Sequence, residues 1–160
     1  DSIKQPTGFA IGCGFNPNVR NLQPELTKLK RKIDAGAQFV LTQLIFDPDP
    51  FVESVRLARQ AGIEQPIFPA VSPLLSHRNA QFIHNELPGC RLPEHILQRM
   101  ARHADDKRAA RREGLAIAKQ VIEQIWDHAD GIYIVPPLSH YELAAELADF
   151  VRSAARTSQS

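Results

Sequence analysis

Four cations fall within five positions, at Lys28, Lys30, Arg31 and Lys32. On a helix, Lys28 shares a face with Arg31 and with Lys32, because residues three or four apart are neighbours. Such a face suits phosphate groups: Arg offers a planar two-pronged donor and Lys a compact charge. The same residues serve equally well as a solvated helix face, and composition does not separate the two readings. Gln43 stands near the end of an apolar run, Phe39-Val40-Leu41-Thr42-Gln43-Leu44. A carboxamide both donates and accepts, which fits the edge of a heterocycle. The alternative is a core amide satisfied by neighbouring backbone, since leaving it buried and unpaired costs about 1–3 kcal/mol. Phe15, in Gly14-Phe15-Asn16-Pro17-Asn18-Val19-Arg20, could offer an aromatic face to a planar ligand. The two Asn around Pro17 fit a fixed turn into a helix capped by Asn21.

Further along, Asp47-Pro48-Asp49-Pro50 reads as a rigid helix entry. Ser76-His77-Arg78-Asn79 starts a helix with a Ser cap and polar first turn, so Asn79 is either a cap-region residue or a ligand contact. His140 and Tyr141 follow the stiff Pro136-Pro137 segment, where they either cap a helix or reach a binding mouth. Several signals are missing: a Gly-rich dinucleotide loop, a phosphate-binding Walker loop, a nucleophile elbow, and His or Cys at metal-ligand spacing. Metal catalysis and triad hydrolysis therefore have little support, and no metal ligand is assigned. Cys13 and Cys90 read as buried thiols of a reducing, cytoplasmic compartment.

The elements that must position these residues follow from hydrophobic patterning. Four short, nearly continuous apolar runs occur at Phe9–Cys13, Phe39–Leu44, Ile67–Val71 and Ile132–Val135. Such runs fit strands covered on both faces. Helical patterns alternate with them. Leu22, Leu26, Leu29 and Ile33 form a stripe stopped by Gly36; Pro50–Ala61 is followed by Gly62; shorter pieces span Arg78–Asn85 and Pro93–Met100. A longer helix, Lys107–Trp126, places Ala110, Gly114, Ile117, Val121 and Ile125 on one face, and His140–Ala155 forms the last helix. Alternating strands and helices predict parallel βα units, in an open doubly wound sheet or in part of a (β/α)8 barrel. A full barrel needs about 250 residues; four units in 160 residues amount to half of one. Residues 1–8 and 156–160 are expected to be flexible ends of a single domain covering 1–160. The start, without Met and soon apolar, suggests a piece of a longer protein.

The 160 residues are 43% hydrophobic, enough for one compact core. A formal charge of +1 gives no reason to expect a nucleic-acid partner. No apolar run approaches the roughly 18 residues of a membrane span, and the first residues lack the pattern of a signal peptide.

In order and spacing, Phe9-Ala10-Ile11-Gly12 with Phe15-Asn16-Pro17-Asn18, then Leu29-Lys30-Arg31-Lys32-Ile33-Asp34-Ala35-Gly36-Ala37, then Leu41-Thr42-Gln43 and Phe46-Asp47, resemble the methylenetetrahydrofolate reductase family. Ser76 to Glu86, and Gly131-Ile132-Tyr133 before Tyr141-Glu142, resemble the branch in which the reductase is fused behind a homocysteine S-methyltransferase domain. The resemblance runs from Phe9 to about Phe150 and implies strands five to eight of a TIM barrel, its C-terminal half. It implies FAD as cofactor, NADH or NADPH as hydride donor, and methylenetetrahydrofolate as substrate, with a possible homo-oligomer. By position, Phe15, Glu25, Lys28, Arg31 and Lys32 would hold the cofactor, and Gln43, Asn79 and His140 the substrate. Glu25 and Lys28 stand where other members have Asp and Asn, and a substrate-contacting Arg after the last strand is replaced by Ser139 or His140. The family's catalytic Glu and its flavin-tuning Asp belong to the first half of the barrel, so no residue here is expected to be catalytic and the chain alone is expected to be inactive. The competing readings are a non-catalytic half-barrel that binds a folate or flavin, and another barrel enzyme of folate or phosphate-bearing substrates.

Overall fold

The computed structural model describes residues 8–137 and 140–157. Residues 1–7 and 158–160, on which part of the expected flexible ends falls, lie outside the described residues, as does Ser139. Four parallel strands form one sheet: β1 (Gly12–Phe15), β2 (Phe39–Leu44), β3 (Ile67–Val71) and β4 (Tyr133–Ile134). Their spatial order, β1-β2-β3-β4, is the chain order. Right-handed crossovers in an unreversed order put every connecting helix on the same side. That is the wall of a barrel and not a doubly wound sheet, whose strand order reverses at a switch point.

The helices are α1 (Leu22–Asp34), α2 (Pro48–Gln60), α3 (His77–Glu86), α4 (Glu94–Ala101), α5 (Lys107–Ile125) and α6 (Tyr141–Thr157). Their starts follow local chemistry. The side chains of Asn21, Asp47, Ser76 and Asp106 accept hydrogen bonds from backbone N–H groups in the first turns of α1, α2, α3 and α5. Helix α2 begins two residues earlier than its pattern suggests, because Asp47 is the cap and Pro48 occupies a first-turn position where its missing N–H costs nothing.

Two strand boundaries differ from the apolar runs. Strand β1 begins at Gly12, not Phe9, because its one sheet neighbour, β2, starts pairing at Phe39 opposite Gly12. Phe9 and Ile11 are left 77% and 56% exposed. Strand β4 shrinks to the two residues opposite Ala70 and Val71. Pairing partners set these limits; hydrophobicity does not.

The main core lies between the sheet and its helices. Val40 and Ile67 meet Leu26 and Leu29 of α1, Phe51 and Val55 of α2, and Val121, Ile122 and Ile125 of α5. A second cluster joins Ile83, Cys90, Leu92, Ile96, Met100 and Ile117, and so anchors α3, α4 and the segment between them. Gly114 lets α5 approach the chain after β3: a Cβ there would collide with the Leu74 carbonyl.

Candidate functional site

Strand β2 carries an irregularity where the chemistry is expected. Leu41 pairs with Phe68, but the next β3 partner, Ala70, sits opposite Leu44. The extra residue makes a bulge, a feature that re-aims side chains. Thr42 repairs the interrupted ladder. Its hydroxyl accepts from the Ala70 N–H at 3.0 Å and donates to the Gln43 carbonyl at 2.7 Å. The Gln43 carboxamide is then fixed at both ends. Nε2 donates to the Pro88 carbonyl at 3.0 Å, and Oε1 accepts from the Leu44 N–H at 3.1 Å. These two partners define which way the amide points. A carboxamide has two N–H donors and two acceptor lone pairs, so one of each remains free of these two bonds.

Gln43 lines an open cleft of about 360 Å³ together with Gly14, Phe15, Asn16, Glu25, Lys32, Leu41 and Thr42. Lys32 reaches across from the last turn of α1 to donate to the Gly14 carbonyl at 2.6 Å. An ammonium has three donors, so two remain. Glu25 forms an ion pair with Lys28 at 2.7 Å, with the Lys28 side chain exposed. Cys13, on the neighbouring strand, is a neutral thiol: burial pushes its pKa up, against a smaller opposite pull from Lys32.

The structure therefore brings Phe15, Glu25, Lys32 and Gln43 together, with Lys28 paired to Glu25. It separates the others. Phe15 itself is 4% exposed and packs in the main core, so it contributes wall and no free ring face. Arg31 lines a different groove, with Leu26, Leu57 and Gln60 between α1 and α2, because one residue step turns a helix by about 100°. Asn79 works locally, in the first turn of α3: its Oδ1 accepts from the Leu75 N–H at 3.1 Å, and its N–H donates to the Ser76 hydroxyl. His140 lies between Arg111 of α5, at 3.3 Å, and Glu142, at 2.9 Å. It stands beside a second groove of about 840 Å³ whose walls include Lys107, Arg108, Arg111 and Arg112. The partners that hold Gln43, namely Thr42, Pro88 and the turn around it, carried no sequence signal, since they act through backbone atoms and one hydroxyl.

Known proteins agree with this reading of the fold. A family model described as methylenetetrahydrofolate reductase matches residues 4–148. The chain is 38% identical over 104 residues to a probable methylenetetrahydrofolate reductase (NADPH) of Caenorhabditis elegans, covering 61% of this chain and 16% of that protein. It is 28% identical over 125 residues to the 5,10-methylenetetrahydrofolate reductase of Escherichia coli (strain K12), covering 76% of this chain and 42% of that protein. Thus it spans less than half the length of these relatives. A solved structure of an uncharacterized Clostridium thermocellum protein, said to bind two copies of 5-methyl-5,6,7,8-tetrahydrofolic acid, superposes with a TM-score of 0.61 at 15% identity, covering 87% of this chain and 52% of that one. That likeness concerns the fold. With a family match over nearly its whole length, the chain belongs to the methylenetetrahydrofolate reductase family.

Proposed function

We propose that this segment supplies the folate-facing wall of a reductase that converts 5,10-methylenetetrahydrofolate to 5-methyltetrahydrofolate. The observation that carries the reading is the doubly anchored Gln43 amide on the wall of the cleft, with one donor and one acceptor left over. Those are the groups needed to hold the edge of a pterin-like ring. In this reading the four strands are strands five to eight of the parent barrel, and the catalytic Glu comes from the remainder of the polypeptide. The chain alone is then inactive. The folate ligand named for the Clostridium thermocellum protein is in keeping with a folate here.

FAD, reduced by NADH or NADPH, would supply the hydride. The residues at the cleft fit an anionic cofactor in part. Lys32 has free donors beside the Gly14 carbonyl, and Lys28 adds an exposed ammonium. Arg31 faces another groove and Phe15 is enclosed. Of the basic cluster, Lys32 and Lys28 are therefore the residues assigned to hold it. Gln43 orients the folate and keeps the cleft wall polar at the ring edge. Lys32 holds negative charge near β1.

The test uses a complete reductase containing this segment. Gln43→Glu keeps the size, removes a donor and adds a charge. Flavin reduction by NAD(P)H should proceed at a near-normal rate, while reoxidation by methylenetetrahydrofolate should slow about tenfold or more, at roughly 1.4 kcal/mol per decade. Stopped-flow flavin absorbance separates the two steps. An unchanged folate step would return Gln43 to the role of a satisfied structural amide.

A further inference from the structure

Gln43 is held by a segment remote in sequence. Pro88, whose carbonyl accepts from Gln43 Nε2, lies in the connection between α3 and α4. That connection is tied down beside Gln43 by one side chain. Asn18 Nδ2 donates to the Leu44 carbonyl at 2.9 Å and to the Gly89 carbonyl at 3.0 Å. Both N–H donors of a single carboxamide thus join the residue after Gln43 to the residue after Pro88. The Asn18 backbone is fixed in turn, its N–H donating to Asn16 Oδ1 at 3.0 Å. Gly89 adopts φ +79°, where a side chain is disfavoured. A Cβ there would collide with Asn16 Nδ2 and come within 3.6 Å of Gln43 Nε2. Cys90, next in the chain, is buried in the second core cluster, against which Leu44 packs.

We infer that Asn18 is a positioning residue for Gln43: by clamping the Pro88-Gly89 turn to the end of β2, it sets the angle of the amide that meets the folate. This rests on the proposed role of Gln43. A side chain held within narrow limits by such supporting bonds is what a reaction between two stacked rings requires, because small misplacements cost rate. The clamp reaches no farther than the folate ring edge, so it should leave the nicotinamide step alone.

The experiment is a double-mutant cycle in the complete flavin-loaded reductase, using Asn18→Ala, Gln43→Ala and the double variant. Asn18→Ala should slow flavin reoxidation by methylenetetrahydrofolate about three- to tenfold, the worth of an ordinary hydrogen bond. Reduction by NAD(P)H should be unchanged. In the Gln43→Ala background the Asn18 change should have no further effect on the folate step. Asn18→Ser, which keeps one hydroxyl donor and disturbs folding less, should fall between the parent and Asn18→Ala. Additive effects in the cycle, or equal slowing of both half-reactions, would overturn the positioning role and leave Asn18 as a structural tie. If Gln43→Ala alone leaves the folate step intact, the functional reading of Gln43 fails. If Gln43→Ala slows that step and Asn18→Ala does not, only the clamp fails.

Discussion

The two faces of one sheet are finished differently. On the helix side, Val40 and Ile67 are fully buried, sealed by Phe51 of α2 and Ile122 of α5. On the other face, Phe39, Leu41 and Phe68 are only partly covered, Phe39 and Phe68 meet edge to face at 6.3 Å, and Tyr133 is 42% exposed. A parallel sheet is ordinarily covered on both faces. The difference teaches where the tight packing and the cleft reside. The helix side holds the fold together, and the opposite face and the strand ends carry the cleft. Substitutions on one side should therefore change stability and on the other association or ligand handling.

The strongest way to break that comparison is to open the sealed side. Phe51→Ala removes a fully buried ring between α2 and the sheet and should cost about 3–5 kcal/mol, measured by urea unfolding. A loss below about 1 kcal/mol would show that the helix-side core is not what holds the sheet. Gly114→Ala should come next, at about 1–3 kcal/mol, because its methyl must displace the Leu74 carbonyl and so part α5 from the chain after β3.

A surface cap on the sealed side should matter less. Asp106 accepts from the Arg108 and Ala109 N–H groups at 2.9 Å each. The Ala109 N–H first, then that of Arg108 with Arg112 nearby, holds its carboxyl below its ordinary value near 3.8. A carboxyl depressed on folding stabilises above its unfolded value, and that contribution disappears as pH falls through the lower folded value. Asp106→Ala should lower Tm by about 2–4 °C at neutral pH, with the gap to the parent closing in acid below pH 3.8. A gap that stays constant into acid would mean the carboxylate charge contributes nothing at the cap.

The open face sharpens the comparison from the other direction. Tyr133→Ser should leave stability within about 0.5 kcal/mol, as for an exposed position. Exposed apolar surface and the outer edges of β1 and β4, which pair with no strand among the described residues, favour self-association. The chain by itself should therefore sediment above its monomer mass of 17.9 kDa, and Tyr133→Ser should shift it toward the monomer. A parent chain that is strictly monomeric and binds no apolar dye would show that this face needs no cover.

Much of the architecture was legible in the residues. Strands β2 and β3 coincide with their apolar runs, and the α5 face of Ala110, Gly114, Ile117, Val121 and Ile125 is buried throughout. Periodicity and caps act over a few neighbouring residues, so a linear reading captures them. The order of residues also carried the family, through Lys30-Arg31-Lys32 and Thr42-Gln43, and the match over residues 4–148 agrees. What the sequence could not decide was direction and partnership. Adjacent cations in the basic run part company, with Lys32 at the cleft and Arg31 in another groove. Phe15 turns into the core, and the limits of β1 and β4 depend on the strands opposite them. The orientation of Gln43 depends on a bulge, on Thr42, and on a carbonyl at Pro88 that is 45 residues away. Backbone carbonyls are the same at every position, so their use in a site comes into view only when the folded chain brings them within hydrogen-bond reach.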